Sequence, residues 1–215
     1  MRKTLAAVII GVALQTLATS ASAITSTLTF DGDICPDSLT CGDFALIDQS
    51  YGDIAGIVDI QYDRLLGDDN GEHRLSFWTT GYSDLTNVAW GSSGDAAGTA
   101  EIFIKPLDGN PITLKSFDLG SWPNTDRGTQ FTILDGDGNI LVSSGAITIL
   151  GAVRSHFDID LASASGIRIQ WGPSAYNVGI DNVAFEVTAV PEPQEYALLL
   201  AGLGLVGWAA RRRSR

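Results

Sequence analysis

Between residues 24 and 189 no stretch carries a sustained apolar stripe at helical spacing; short runs alternate apolar and polar residues and are broken by Gly, Asp and Asn. A period of two puts every second side chain on one face of a strand, so such a chain hides its apolar face only by pairing strands and stacking sheets. In Ser155 to Leu161, Phe157, Ile159 and Leu161 fall on one face while His156, Asp158 and Asp160 fall on the other. Phe131 to Leu134 and Ile140 to Val142 flank the Gly/Asp stretch Asp135 to Asn139, which predicts a hairpin. In all, strands are predicted at residues 25–30, 44–48, 57–62, 74–79, 87–90, 100–105, 112–119, 129–134, 139–143, 155–161, 166–171 and 179–187. The 24 glycines argue against long helices. About twelve closely spaced strands predict an all-β fold, a β-sandwich of jelly-roll type.

Both ends break this pattern. Arg2 and Lys3, the apolar run Leu5 to Leu17 and the small residues Ala21-Ser22-Ala23 have the layout of an N-terminal signal helix, cut after Ala23. At the other end stand Val190, Pro191, Glu192 and Pro193, then Gln194 and Glu195 as an acidic joint. The prolines lack an N–H and hold the chain extended, so a preceding strand cannot run on. Tyr196 to Ala210 carries no charge, and as a helix its length is about 22 Å. A hydrocarbon core is roughly 30 Å thick, so Trp208 and snorkelling arginines must help this helix cross it. Arg211, Arg212, Arg213 and Arg215 would hold the end in the cytoplasm. The expected division is a signal peptide at 1–23, an extracytoplasmic β-sandwich at 24–189, and a tail at 190–215 with a single transmembrane helix that leaves the body outside.

Of 13 Lys+Arg, Arg2, Lys3 and the four tail arginines belong to the ends, leaving 7; of 25 Asp+Glu only Glu192 and Glu195 do, leaving 23. A body charge of −16 repels phosphate backbones and anionic lipid heads, which excludes nucleic acid as a partner. It suits divalent cations and neutral glycans. Cys35 and Cys41, the two cysteines, are expected to form a local disulfide in an oxidising compartment.

The order of VPEP, a Gly/Leu/Ala helix and a terminal arginine cluster resembles the PEP-CTERM sorting tail of exported bacterial proteins. That resemblance implies recognition and processing by exosortase, a membrane transpeptidase-like enzyme, and an association with exopolysaccharide. It also implies transient anchoring in the inner membrane before delivery to the cell surface, the extracellular matrix or the medium. Gln194-Glu195-Tyr196 departs from the small residues often found after the motif. Gly179 to Val187, with Phe117 to Gly120 and Gly166 to Trp171, looks like the C-terminal half of galactose-binding-like jelly rolls. There a closing Asp-Asn pair lies near a structural calcium, which makes Asp181 a candidate ligand.

Candidate sites are few. Asp135, Asp137 and Asn139 have the opening spacing of a calcium loop, but the sixth and twelfth positions are Ile140 and Ala146, so the pattern fails as an EF-hand. Asp31, Asp33, Asp37 and Asp43 around the disulfide loop, and Asp68, Asp69 and Asn70, offer hard oxygens that also make turns without an ion. His156, Asp158 and Asp160 line one strand face; the other histidine is His73. Trp122, with Asn124 and Asp126 in its loop, and Tyr176-Asn177 in another supply aromatic faces beside polar groups, which is what a sugar ring needs. Trp78 and Trp90 lie on predicted strands and read as core. No Gly-x-Ser-x-Gly, His-Glu-x-x-His or phosphate loop occurs. The expectation is a non-enzymatic surface or matrix protein, structural or adhesive, without cofactor beyond a structural calcium. The alternatives are a lectin-like carbohydrate-binding module and a secreted glycan hydrolase with paired carboxylates hidden among the acids.

Overall fold

The computed structural model describes residues 23–32, 34–35, 41–66, 74–91, 98–188 and 193–213. The body and the C-terminal segment are separate compact units. Among the described residues the body holds twelve strands: β1 (Ala23–Leu28), β2 (Val58–Leu66), β3 (Ser76–Trp78), β4 (Val88–Trp90), β5 (Thr99–Pro106), β6 (Ile112–Ser121), β7 (Arg127–Asp135), β8 (Ile140–Ser143), β9 (Ile147–Ile149), β10 (Ser155–Ser163), β11 (Ile167–Gly172) and β12 (Val178–Thr188). They form a sandwich of two antiparallel sheets. One runs β10-β6-β12-β4-β3 with β1 also on β12, the other β2-β5-β11-β7-β8 with β9 also on β7.

The alternation in the sequence explains the packing. Ile60 and Tyr62 of β2, Ile102 and Ile104 of β5, and Ile167, Ile169 and Trp171 of β11 point into one core with Leu114, Phe117 and Leu119 of β6 and Ile180, Val183 and Phe185 of β12; each is at most 1% exposed. Each such side chain contributes about 1.5–3 kcal/mol by leaving water. The one polar atom of Trp171 is satisfied, since its Nε1 donates to the Val178 carbonyl at 2.8 Å. Cys35 and Cys41 form the expected disulfide, with Cα atoms 5.6 Å apart.

Four expectations are corrected. Residues 44–48 are not a strand: Phe44 sits at φ 73°, the left-handed region, and the segment meets residues 75–77 through a few backbone bonds and one bridge, Leu46 to Ser76. β9 falls where the sequence predicts no strand, because three residues after a glycine carry too little periodicity; it pairs with Arg127 to Thr129. Pro193 does not extend the chain but opens a helix, α1 (Pro193–Arg213), at a position where the missing N–H has no helical partner to lose. Finally, no helix among the described residues is long and apolar enough to cross a membrane. The reason is local: α1 has 21 residues, but only Tyr196 to Ala210 are free of charge and strongly polar groups, fewer than the roughly 20 apolar residues a bilayer core needs. Ala23, the expected last signal residue, is the first residue of β1, opposite Thr188. Ala21 and the rest of the signal helix, with Val190, Pro191 and Glu192, lie outside the described residues.

Candidate functional site

The two loops singled out for their aromatic residues do meet. Trp122, just after β6, and Tyr176, between β11 and β12, have ring centroids 6.0 Å apart, edge to face. They belong to a closed circuit: Trp122 to Trp78 at 6.1 Å, Trp78 to Phe44 at 4.8 Å, Phe44 to Trp90 at 5.8 Å and Trp90 to Tyr176 at 5.0 Å. Such spacings and angles are those of edge-to-face aromatic pairs. Trp90 is 2% exposed, and its buried Nε1 has no hydrogen-bond partner. Phe44, by contrast, is 61% exposed.

The polar members of the loops are engaged within the fold. The Trp122 backbone N–H donates to the Asn177 carbonyl at 2.9 Å, and Asn177 Nδ2 donates to Ser174 Oγ at 3.2 Å. Asp126 Oδ1 accepts from the Gly151 N–H at 2.8 Å. Asn124, at φ 53°, donates its N–H to the Gly81 carbonyl at 3.0 Å.

Oxygen ligands proposed for cations are similarly engaged. Asp135 Oδ1 accepts from the N–H groups of Asp137 and Asn139 at 2.9 and 2.8 Å, and its Oδ2 accepts from Asn139 Nδ2 at 2.8 Å. These bonds, that from the Asn139 side chain first, hold the Asp135 carboxyl below the usual range, and they build a hairpin turn. Asp43 Oδ1 accepts from Thr79 N–H and Oγ1, and Asp31 Oδ1 accepts from Asn87 Nδ2. Asp33, Asp37, Asp68, Asp69, Asn70 and His73 lie outside the described residues. Among the described residues there is no group of three or more His, Cys, Asp or Glu placed to hold a metal ion.

The row His156, Asp158, Asp160 is broken by a bulge after Asp158, and Asp160 turns at φ 52° to pair with Lys115. Instead, register aligns His156 with Asp118 of β6, and Asp118 with Asp181 of β12. His156 Nδ1 lies 2.6 Å from Asp118 Oδ1; Asn182 Nδ2 donates to Asp118 Oδ2 at 2.8 Å, and Arg154 Nε forms an ion pair with the same oxygen at 3.1 Å. The Asp118 contact raises the histidine above its ordinary value. Asp181 is 5% exposed, and burial, aided by the Asp31 and Asp118 charges, pushes its carboxyl up to about 7.

A third arrangement lies on the outer face of the β2-β5-β11-β7 sheet, and sequence reasoning missed it. Because Ile60 and Tyr62 face the core, Asp59, Gln61 and Asp63 point away from it; Glu101 and Phe103 of β5 and Arg168 and Gln170 of β11 do likewise. Register sets Asp63 opposite Glu101, Glu101 opposite Gln170, and Phe103 opposite Arg168. Arg168 Nη1 donates to Glu101 Oε1 at 2.6 Å, Gln170 Nε2 donates to Glu101 Oε2 at 2.7 Å, and the guanidinium lies 3.8 Å over the Phe103 ring. Thus a carboxylate 3% exposed sits on a face that normally meets water, fixed at both oxygens. Gln49 closes the β2 edge, accepting from the Tyr62 N–H at 3.0 Å and donating to its carbonyl at 2.8 Å. Between these groups is a depression of about 450 Å³. A second, of about 540 Å³, lies on the same sheet, lined by Thr99, Gln130, Thr132, Gln170 and Pro173. Asp63 Oδ1, in the first, is buried and accepts no hydrogen bond. The available signal was the polar half of each alternation, Asp59-x-Gln61-x-Asp63 above all.

Comparison with known proteins adds two findings. Residues 189–213 match the PEP-CTERM protein-sorting motif, so the chain carries that sorting signal. Solved structures similar to the body include one described as "CBM4 structure and function", 15% identical over 60% of this chain and 92% of that one, with a TM-score of 0.26. Another is a carbohydrate-binding module of family 29, 13% identical over 63% and 97%, with a TM-score of 0.23. Scores this low carry no argument about this chain's ligand. No curated protein matches the chain.

Proposed function

We propose that this is a non-enzymatic exported protein, sorted through its C-terminal motif by an exosortase-type membrane enzyme to the cell surface or matrix, where it acts as a structural or adhesive partner of exopolysaccharide. The motif at residues 189–213 carries the reading. The acidic β-sandwich with its disulfide suits an oxidising exterior. The jelly-roll reading of the body is supported by a path that passes from β4 in one sheet to β5 in the other, back to β6, over to β7, and later through β10, β11 and β12 by the same exchange.

Membrane engagement is assigned to α1. Leu200, Leu203, Leu205, Val206 and Trp208 are all exposed and lie around the whole helix, so no polar face is reserved for water over that stretch. Arg212 lies 4.9 Å over the Trp208 ring, where a cation and an aromatic ring suit a membrane interface. In producing cells, fractionation of the full chain beside a variant lacking 190–215 is expected to place the first at the surface or in the matrix. The second is expected to stay soluble outside the cytoplasm. Equal distribution of the two would defeat the sorting role.

A further inference from the structure

We propose that the outer face of the β2-β5-β11-β7 sheet is a binding groove for an extended, uncharged polysaccharide chain, held by Gln61, Asp63, Arg168 and Gln170. The groove owes nothing to the tail, and it is separate from the Trp122 loops. Three observations lead to it.

The first is shape. Two depressions of about 450 and 540 Å³ lie side by side on one sheet face, and Gln170, which lines the second, is bonded to Glu101, which lines the first. The groove crosses four strands, a run of about 14 Å at ordinary strand spacing, longer than one sugar ring. It therefore fits a stretch of linear chain better than a single sugar.

The second is pre-organisation. Arg168 and Gln170 are each fixed by Glu101, and Gln61 Nε2 donates to Asp59 Oδ2 at 2.8 Å. Planar amide, carboxylate and guanidinium groups held in place lose little freedom on binding, and each presents further donors or acceptors to hydroxyl groups. Asp63 lines the first depression beside them and adds a carboxylate, an acceptor for hydroxyl groups.

The third is charge. Arg168 neutralises Glu101, and the remaining Asp59, Asp63 and Arg74 give no cationic excess. With a body charge of −16, a polyanion is repelled rather than recruited. Many hydroxyls and no charge is the chemistry that fits.

The test uses the purified full chain in mild detergent, with affinity electrophoresis against xylan, dextran and galactomannan, and alginate as the anionic comparison. Saturable binding to at least one uncharged polymer is expected, persisting at high salt and stronger for a tetrasaccharide of that polymer than for its monosaccharide. Gln61→Ala and Asp63→Asn are expected to weaken it tenfold or more; both lie outside the core, and an unchanged melting temperature shows that the fold is intact. Absence of binding to every uncharged polymer, or preference for alginate, overturns the proposal. So does binding that survives both substitutions, or that is lost in Trp122→Ala but not in Gln61→Ala, which would move the site to the loops. A surface-located chain that fails here leaves the sorting reading standing, and a mislocalised chain that binds leaves the groove standing.

Discussion

Replacing Asp181 with Asn is expected to make the protein more stable than the wild type at pH 8, by about 4 kcal/mol, and equal to it near pH 4. The carboxyl titrates at about 7 in the fold against 3.8 when free. Between these values the folded chain holds a proton that the unfolded chain has released. Stability therefore falls as pH rises from about 4 to about 7 and levels off above, by about 1.36 kcal/mol for each pH unit that separates the two values. Burial is the leading cause, and the carboxylates of Asp31 and Asp118 add to it, while the Asn182 N–H and Arg154 oppose it. An amide keeps the acceptor that takes the Asn182 N–H at 2.7 Å but never ionises. Urea titrations of both chains from pH 4 to 8 measure the difference, in which titrating groups that do not interact with Asp181 cancel. Parallel profiles would show that Asp181 is no more stressed than a surface carboxylate.

The second large effect is expected at Arg168. Its guanidinium is the charge partner of Glu101, whose side chain is 4% exposed. Removing it in Arg168→Ala leaves a buried carboxylate whose other donor among the described residues is Gln170, and loss of one member of such a pair costs about 3–5 kcal/mol. Because the pair's own net value is small, Arg168→Met combined with Glu101→Gln is expected to recover most of that loss. A double-mutant cycle by urea denaturation separates the two cases. If Arg168→Ala alone costs under about 1 kcal/mol, the pair behaves as an ordinary surface ion pair, and the groove is not pre-organised by it.

Both effects rest on cross-strand neighbours, which is where sequence reading stopped. The alternation in Ser155 to Leu161 gave β10, and the run Gly179 to Val187 gave β12, because periodicity is local. It could not show that His156, Asp118 and Asp181 form one row, since register between distant strands is decided by the packing of both faces. Arg168 and Glu101 are 67 residues apart, and nothing in either strand names the other. Phe44 to Asp48 misled for the opposite reason: its composition suits a strand, but Phe44 takes a left-handed turn and packs edge to face with Trp78. Trp122 and Tyr176 were legible as aromatic loop residues, though not their membership of a packed circuit in which Trp90 is buried. The sorting motif was readable, because its signal is linear: motif, apolar run and arginines follow in chain order. What sequence reading misjudged there was the helix start at Pro193, a choice between two conformations that proline permits, and the membrane crossing, for which the apolar run is too short.

The most direct measurement is the intact mass of the protein recovered from the surface or medium of producing cells, with alkylation of any free thiol. The expected result is a chain that lacks the N-terminal signal segment and has been cut within the sorting tail, with Cys35 and Cys41 both protected. A cytosolic chain running from Met1 to Arg215 with two alkylated cysteines would contradict export, sorting and the oxidised loop together.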